Sequence, residues 1–81
     1  MTTGTFTRLM SRARTLAETG DRPDYWRGFE RGLRRAYHGE RFGTEAEHRL
    51  WMELGTEKDL GRDRTREERG QGYRDGFATL G

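Results

Sequence analysis

The sequence contains no cysteine, isoleucine or valine, and only one proline. Without cysteine there is no disulfide framework and no thiolate metal site. That absence also fits a reducing, cytoplasmic compartment. Losing Ile and Val removes the commonest strand formers. Leu and Phe together number 11, about 14% of the 81 residues, a level that often accompanies disorder. Two features oppose that reading: a net charge of only +2 and nine aromatic residues. No apolar run approaches the ~20 residues of a membrane span. The opening Met1-Thr2-Thr3-Gly4 lacks a basic region followed by an apolar stretch, so no secretory signal is expected. The length suits one small domain over residues 1–81.

What is present is helical periodicity. Phe6, Leu9, Met10, Ala13, Leu16 and Ala17 recur at the spacing of one helical face, predicting a helix over 5–19 with Gly20 as its C′ stop. Asp21-Arg22-Pro23-Asp24 reads as a second start, with proline in the first turn. Tyr25, Trp26, Phe29, Leu33, Ala36 and Tyr37 then share one arc, and Gly39 ends it. Thr44 and Glu47 form a capping box for a third helix, with Ala46, Leu50, Trp51 and Leu54 facing inward and Gly55 at its end. A fourth segment, about 63–79, places Tyr73, Phe77 and Leu80 four and three residues apart, but Gly70, Gly72 and Gly76 weaken it by ~1 kcal/mol each. The expected fold is an all-α bundle of three to four amphipathic helices, least ordered over 60–81. Beyond Met1 only 18 side chains are large and apolar, so the core is thin. A partner, or pairing as a homodimer, is one way to complete it.

Gly28-Phe29-Glu30-Arg31-Gly32-Leu33 matches Gly72-Tyr73-Arg74-Asp75-Gly76-Phe77 in pattern, 44 residues on. Glycines four apart strip one stripe of side chains, so another backbone can approach there. These glycines either mark a crossing of helices two and four, a contact with a partner copy, or a coincidence in a chain with 12 Gly.

Charge is segregated. Residues 1–43 hold nine arginines against five acids, and residues 44–63 hold three basic residues against six acids. Arg27, Arg31, Arg34 and Arg35 fall within about 100° on the wheel of helix two, opposite Trp26, Phe29 and Leu33. Arg8 and Arg12 add a smaller basic edge on helix one. Such a face can grip phosphates bidentately or dock on an acidic protein surface. It is equally the pattern of a solvated face neutralised by Glu30 or by the acidic third helix. Trp26 and Trp51 could stack on bases, but tryptophans on apolar helical faces are expected in the core. Met52 lies off the inner arc of helix three and, with Phe42 in the preceding loop, could form an exposed apolar protein contact.

Catalytic constellations are missing. Glu45-x-x-His48 has the spacing of bundle metal sites, but those need a second copy and two further glutamates. His38 sits at a helix end, where histidine commonly caps carbonyls. No nucleophile elbow, zinc-binding helix or phosphate-binding loop occurs, and Ser11, the only serine, has no histidine near it in sequence. Thr56 and Thr65 have no base partner either. No metal, cofactor or enzymatic activity is expected.

The run Arg27-Gly28-Phe29-Glu30-Arg31-Gly32-Leu33, followed after a loop by Trp51, resembles the ribosome modulation factor family. Those small basic bacterial proteins bind the small ribosomal subunit near the messenger exit and promote inactive ribosome dimers. The resemblance covers about residues 24–55. It implies a helical fold and RNA contacts at Arg27, Arg31, Arg34 and Arg35. The loop departs from the family, which carries Pro-Tyr where this chain has His38-Gly39-Glu40-Arg41-Phe42-Gly43. The family is also more basic and has no counterpart to helix one or to residues 60–81. By type, the chain is also similar to phage-encoded anti-CRISPR proteins, which occupy a site on a nucleoprotein complex. The expected partner is thus RNA or a nucleoprotein complex such as the ribosome, or alternatively a host protein complex blocked by a phage inhibitor.

Overall fold

A computed structural model describes residues 2–79. Four helices follow in order: α1 (Thr3–Thr19), α2 (Pro23–His38), α3 (Glu45–Glu53) and α4 (Arg64–Ala78), with a 3-10 turn at Gly39–Arg41. The fold is all-α, with no strand among the described residues. No helix among them is long and apolar enough to cross a membrane. Leu80, expected on the apolar face of the last helix, lies outside the described residues.

Local chemistry sets each boundary. Thr2 caps α1, its hydroxyl accepting the Thr5 amide at 3.1 Å, so the helix begins two residues earlier than periodicity alone indicates. Gly20 is the C-cap itself, in extended backbone at φ −90°, rather than a left-handed residue beyond the end. Gly39 ends α2 at φ 64°, a conformation that favours glycine. Thr44 accepts the Glu47 amide at 3.1 Å to start α3, and Asp63 accepts the Arg66 amide at 2.8 Å to start α4.

α2 is the central element. On one side lies α1: Phe6 stacks on Tyr37 with centroids 4.1 Å apart, Thr3 Oγ1 lies 2.7 Å from the Tyr37 hydroxyl, and Arg14 pairs with Glu30 at 3.1 Å. On the other side α2 crosses α4 at the repeated glycines. A Cβ on Gly28 would overlap the Arg69 carbonyl, and one on Gly32 the Tyr73 carbonyl. Reciprocally, Gly72 meets the Tyr25 carbonyl and Gly76 that of Phe29. Gly28 and Gly72 are equivalent in the repeat, and so are Tyr25 and Arg69. The two helices therefore run in the same direction and relate by a local two-fold, each glycine seated on its counterpart's preceding turn. Tyr25 adds a hydroxyl bond to Asp75 at 2.6 Å, and burial together with that carboxylate pushes the phenol up to about 12.

The molecule measures 38 × 30 × 17 Å, and its short axis is less than two helix diameters. So flat a shape leaves few positions enclosed on all sides. Met10, Ala13, Leu33 and Tyr73 are the buried apolar side chains.

α3 follows only part of its expected inner face. Trp51 and Leu54 are half-buried, Trp51 stacking on Tyr73 at 5.4 Å, but Ala46 is exposed and Leu50 is 63% exposed. His48 and Met52 turn in where those two do not: His48 Nδ1 lies 2.7 Å from the Tyr73 hydroxyl and Met52 is half-buried. Nine residues make two and a half turns, too short for an apolar arc to dominate. Polar contacts orient the helix, including Arg74 Nη1 donating to the Met52 and Leu54 carbonyls at 3.0 and 2.9 Å. The segment after α3 is tied by Asp59, which accepts from the Gly55 and Gly61 amides and, through both oxygens at 2.9 Å, from Arg66. Arg66 and the Gly55 amide together hold the Asp59 carboxyl at about 2.

Burial of His48 makes stability pH-dependent. Burial, then the Arg35 charge, lower the His48 pKa below 6.5, with Glu45 opposing. Burial raises that of Tyr73, so the two side chains meet as neutral groups. The native state then binds fewer protons than the unfolded chain, and this contribution, full above about pH 6.5, is lost as pH falls. The urea midpoint should drop between about pH 7 and pH 5, and His48→Gln should flatten that slope. An unchanged slope in the variant would assign the acid sensitivity elsewhere.

Candidate binding groove

The arginines of α2 do not form one free face. Arg35 is 6% exposed. Its guanidinium curls back over the end of α2, donating to the Gly39 carbonyl at 3.2 Å, to Glu45 at 2.9 Å, and at 3.4 Å to the Phe42 and Gly43 carbonyls. It staples the α2–α3 turn and is a structural residue rather than the surface contact expected of it. The wheel placed it on the polar side, but a long side chain in the last turn reaches the carbonyls that the helix leaves unpaired.

Arg31 and Arg34 are half-exposed and already engaged. Arg31 lies over Trp51 at 4.8 Å and Phe42 at 5.4 Å, and pairs with Glu47 at 3.5 Å. Arg34 pairs with Glu30 at 3.1 Å. Arg27 is exposed and has no ion-pair partner among the described residues. Arg8 and Arg12 are exposed on the outward face of α1, around a separate depression with Gly4, Thr5 and Leu9, and do not join the α2 arginines.

Around Arg27 the surface dips into a groove of about 260 Å³ lined by Arg27, Glu30, Arg31, Arg34, Phe42, Trp51 and Arg69. Arg69 comes from α4, held by Asp24 at 3.0 Å. Wheel reasoning on α2 missed it. The repeat contained the clue, because it seats the turn before Gly72 against Gly28. Trp51 and Arg69 are shared with a second depression of about 250 Å³ lined by Glu47, Leu50, Leu54 and Arg66. Leu50, Leu54 and Arg66 in turn open onto a third of about 310 Å³ that reaches Leu60. Through these shared residues the three adjoin as one trough, basic at one end, with leucines interleaved among Glu53, Lys58, Asp59 and Arg66 at the other.

No protein-family model matches the chain, and comparison with curated proteins and with solved structures finds no match. The chemistry of the trough therefore carries the functional reading. Phe42 is half-buried beneath Arg31 and Arg34, and Met52 is half-buried, so neither is the exposed apolar contact expected of the pair. Among the described residues the exposed large apolar side chains are instead Leu50, at 63%, and Leu60, fully exposed. A shallow cleft between α1 and α2, lined by Phe6, Met10, Arg14 and His38, meets the basic end at Arg34 and Phe42. His38 is exposed, edge-on to the rings of Phe6 and Tyr37. Among the described residues no group of three or more His, Asp or Glu is placed to hold a metal. Glu45 and His48, the pair with metal-like spacing, turn to Arg35 and Tyr73.

Proposed function

We propose that this chain is a non-enzymatic inhibitor or modulator that binds one protein component of a larger complex through the trough and blocks the site it covers. The continuity of the arginine groove with the exposed leucines carries this reading. Burial of an apolar patch is a property of protein contacts. A nucleic-acid surface would favour free guanidiniums and uncovered rings. Here Arg35 is buried, Arg31 and Arg34 face carboxylates, and Trp51 and Phe42 lie against guanidiniums. RNA or ribosome binding, as the family resemblance implies, leaves Leu50 and Leu60 without a role. Arg27, exposed and without an ion pair among the described residues, still calls for an anionic group on the partner.

The test is affinity capture from bacterial lysate with and without nuclease, comparing the wild type with Arg27→Glu/Arg31→Gln. A discrete protein set that survives nuclease and is lost with the variant is the expected result. Ribosomal proteins that vanish on nuclease treatment would replace this reading with RNA binding.

A further inference from the structure

We propose that the trough holds an amphipathic peptide segment of the partner, with carboxylates against Arg27, Arg31 and Arg69 and aliphatic side chains against Leu50, Leu54 and Leu60. The inference rests on the reading that the partner is a protein. Charge complementarity selects the occupant. At the basic end four guanidiniums meet three carboxylates, Glu30, Glu47 and Asp24, and Arg27 is left without an ion pair among the described residues, so the excess positive charge favours an anion there. The far end exposes Leu50 and Leu60 beside half-buried Leu54, so it wants apolar atoms. A membrane is disfavoured because Glu47, Glu53 and Asp59 line the apolar stretch. Much of the surface is pre-formed: Arg69 is fixed by Asp24, Arg66 by both oxygens of Asp59, and Trp51 by Tyr73. An occupant thus loses less to ordering the site than on a mobile surface.

The experiment selects a random displayed-peptide library on the immobilised full chain. It then measures the best peptide by fluorescence anisotropy against Arg27→Glu/Arg31→Gln and Leu50→Asp/Leu60→Asp. Both leucines are exposed, so the second variant keeps the fold, which circular dichroism checks. Selected peptides should carry Asp or Glu toward one end and Leu, Ile, Met or Phe toward the other. Each variant should weaken binding by roughly tenfold or more, and added salt should erode only the arginine-dependent share. If the arginine variant weakens binding and the leucine variant does not, the amphipathic occupant is wrong while protein binding through the basic end stands. Failure of the library to enrich any sequence also overturns the proposal. If labelled polyuridylate binds the wild type, is lost with the arginine variant and displaces the peptide, both this proposal and the protein-binding reading fall. A concentration-dependent dimer in size exclusion, abolished by Leu50→Asp/Leu60→Asp, would assign the trough to a second copy.

Discussion

Gly72→Ala destabilises the protein by about 2–3 kcal/mol, a large fraction of the roughly 4–12 kcal/mol expected for a chain of this size. The sign is opposite to the one helix propensity gives. In an unencumbered helix, replacing glycine by alanine gains ~1 kcal/mol. Here the added methyl would overlap the Tyr25 carbonyl oxygen and come within 2.9 Å of the Phe29 amide nitrogen. Both obstacles are backbone of α2, so no side chain can swing away and the two helices must separate. Gly32→Ala meets the Tyr73 carbonyl and the Phe77 nitrogen in the same way. Gly4→Ala is the control. It lies in α1 with nothing within 4 Å of the new methyl, and it should stabilise by a few tenths to ~1 kcal/mol. Urea denaturation of the three variants checks the contrast. A Gly72→Ala protein as stable as the wild type would mean that α2 and α4 do not cross at these glycines.

Arg35→Met separates structure from binding. Methionine keeps the aliphatic stem in its buried position but removes every donor the α2–α3 turn relies on. Hydrogen bonds to a charged group contribute ~1.5–3 kcal/mol, and a broken buried pair costs ~3–5. The loss here is nearer 2–3 kcal/mol, because Glu45 is exposed and can be rehydrated, and the Phe42 and Gly43 contacts are long at 3.4 Å. Arg27→Glu should change stability by less than about 0.5 kcal/mol and instead abolish partner capture. The pair of variants, read by urea midpoint and by capture, gives opposite outcomes for two arginines that a helical wheel places on the same face. Equal effects on both readouts would mean that Arg35 serves the partner as well as the turn.

Much of the fold was legible because it is written in local chemistry. Thr44 and Glu47 announce the start of α3, Pro23 that of α2, and glycines close both. The glycine repeat pointed to a close helix approach, and its 44-residue offset held the register of α2 on α4. The groove was only half legible. Arg27, Arg31 and Arg34 lie where the wheel puts them, whereas Arg69 arrives from another helix and Arg35 leaves by curling inward. α3 was half legible: Trp51 and Leu54 turn inward as their spacing indicates, but His48 and the carbonyls taken by Arg74, which have no apolar period, seat the helix so that Leu50 stays exposed. Leu60 is exposed in the segment between α3 and α4, where no period applies.

The reciprocal seating of α2 and α4 divides the chain into two classes of position. Where helices meet through side chains, a loss on one side can be made good by a larger neighbour on the other, and lineages drift through such exchanges. Backbone has no larger or smaller version to exchange. Gly28, Gly32, Gly72 and Gly76 therefore have no compensating partner anywhere in the molecule. The half-buried aromatics around them can trade sizes over evolutionary time. Distant descendants of this chain would share little beyond two glycine pairs held 44 residues apart, and a search weighted toward hydrophobic identity would pass over them.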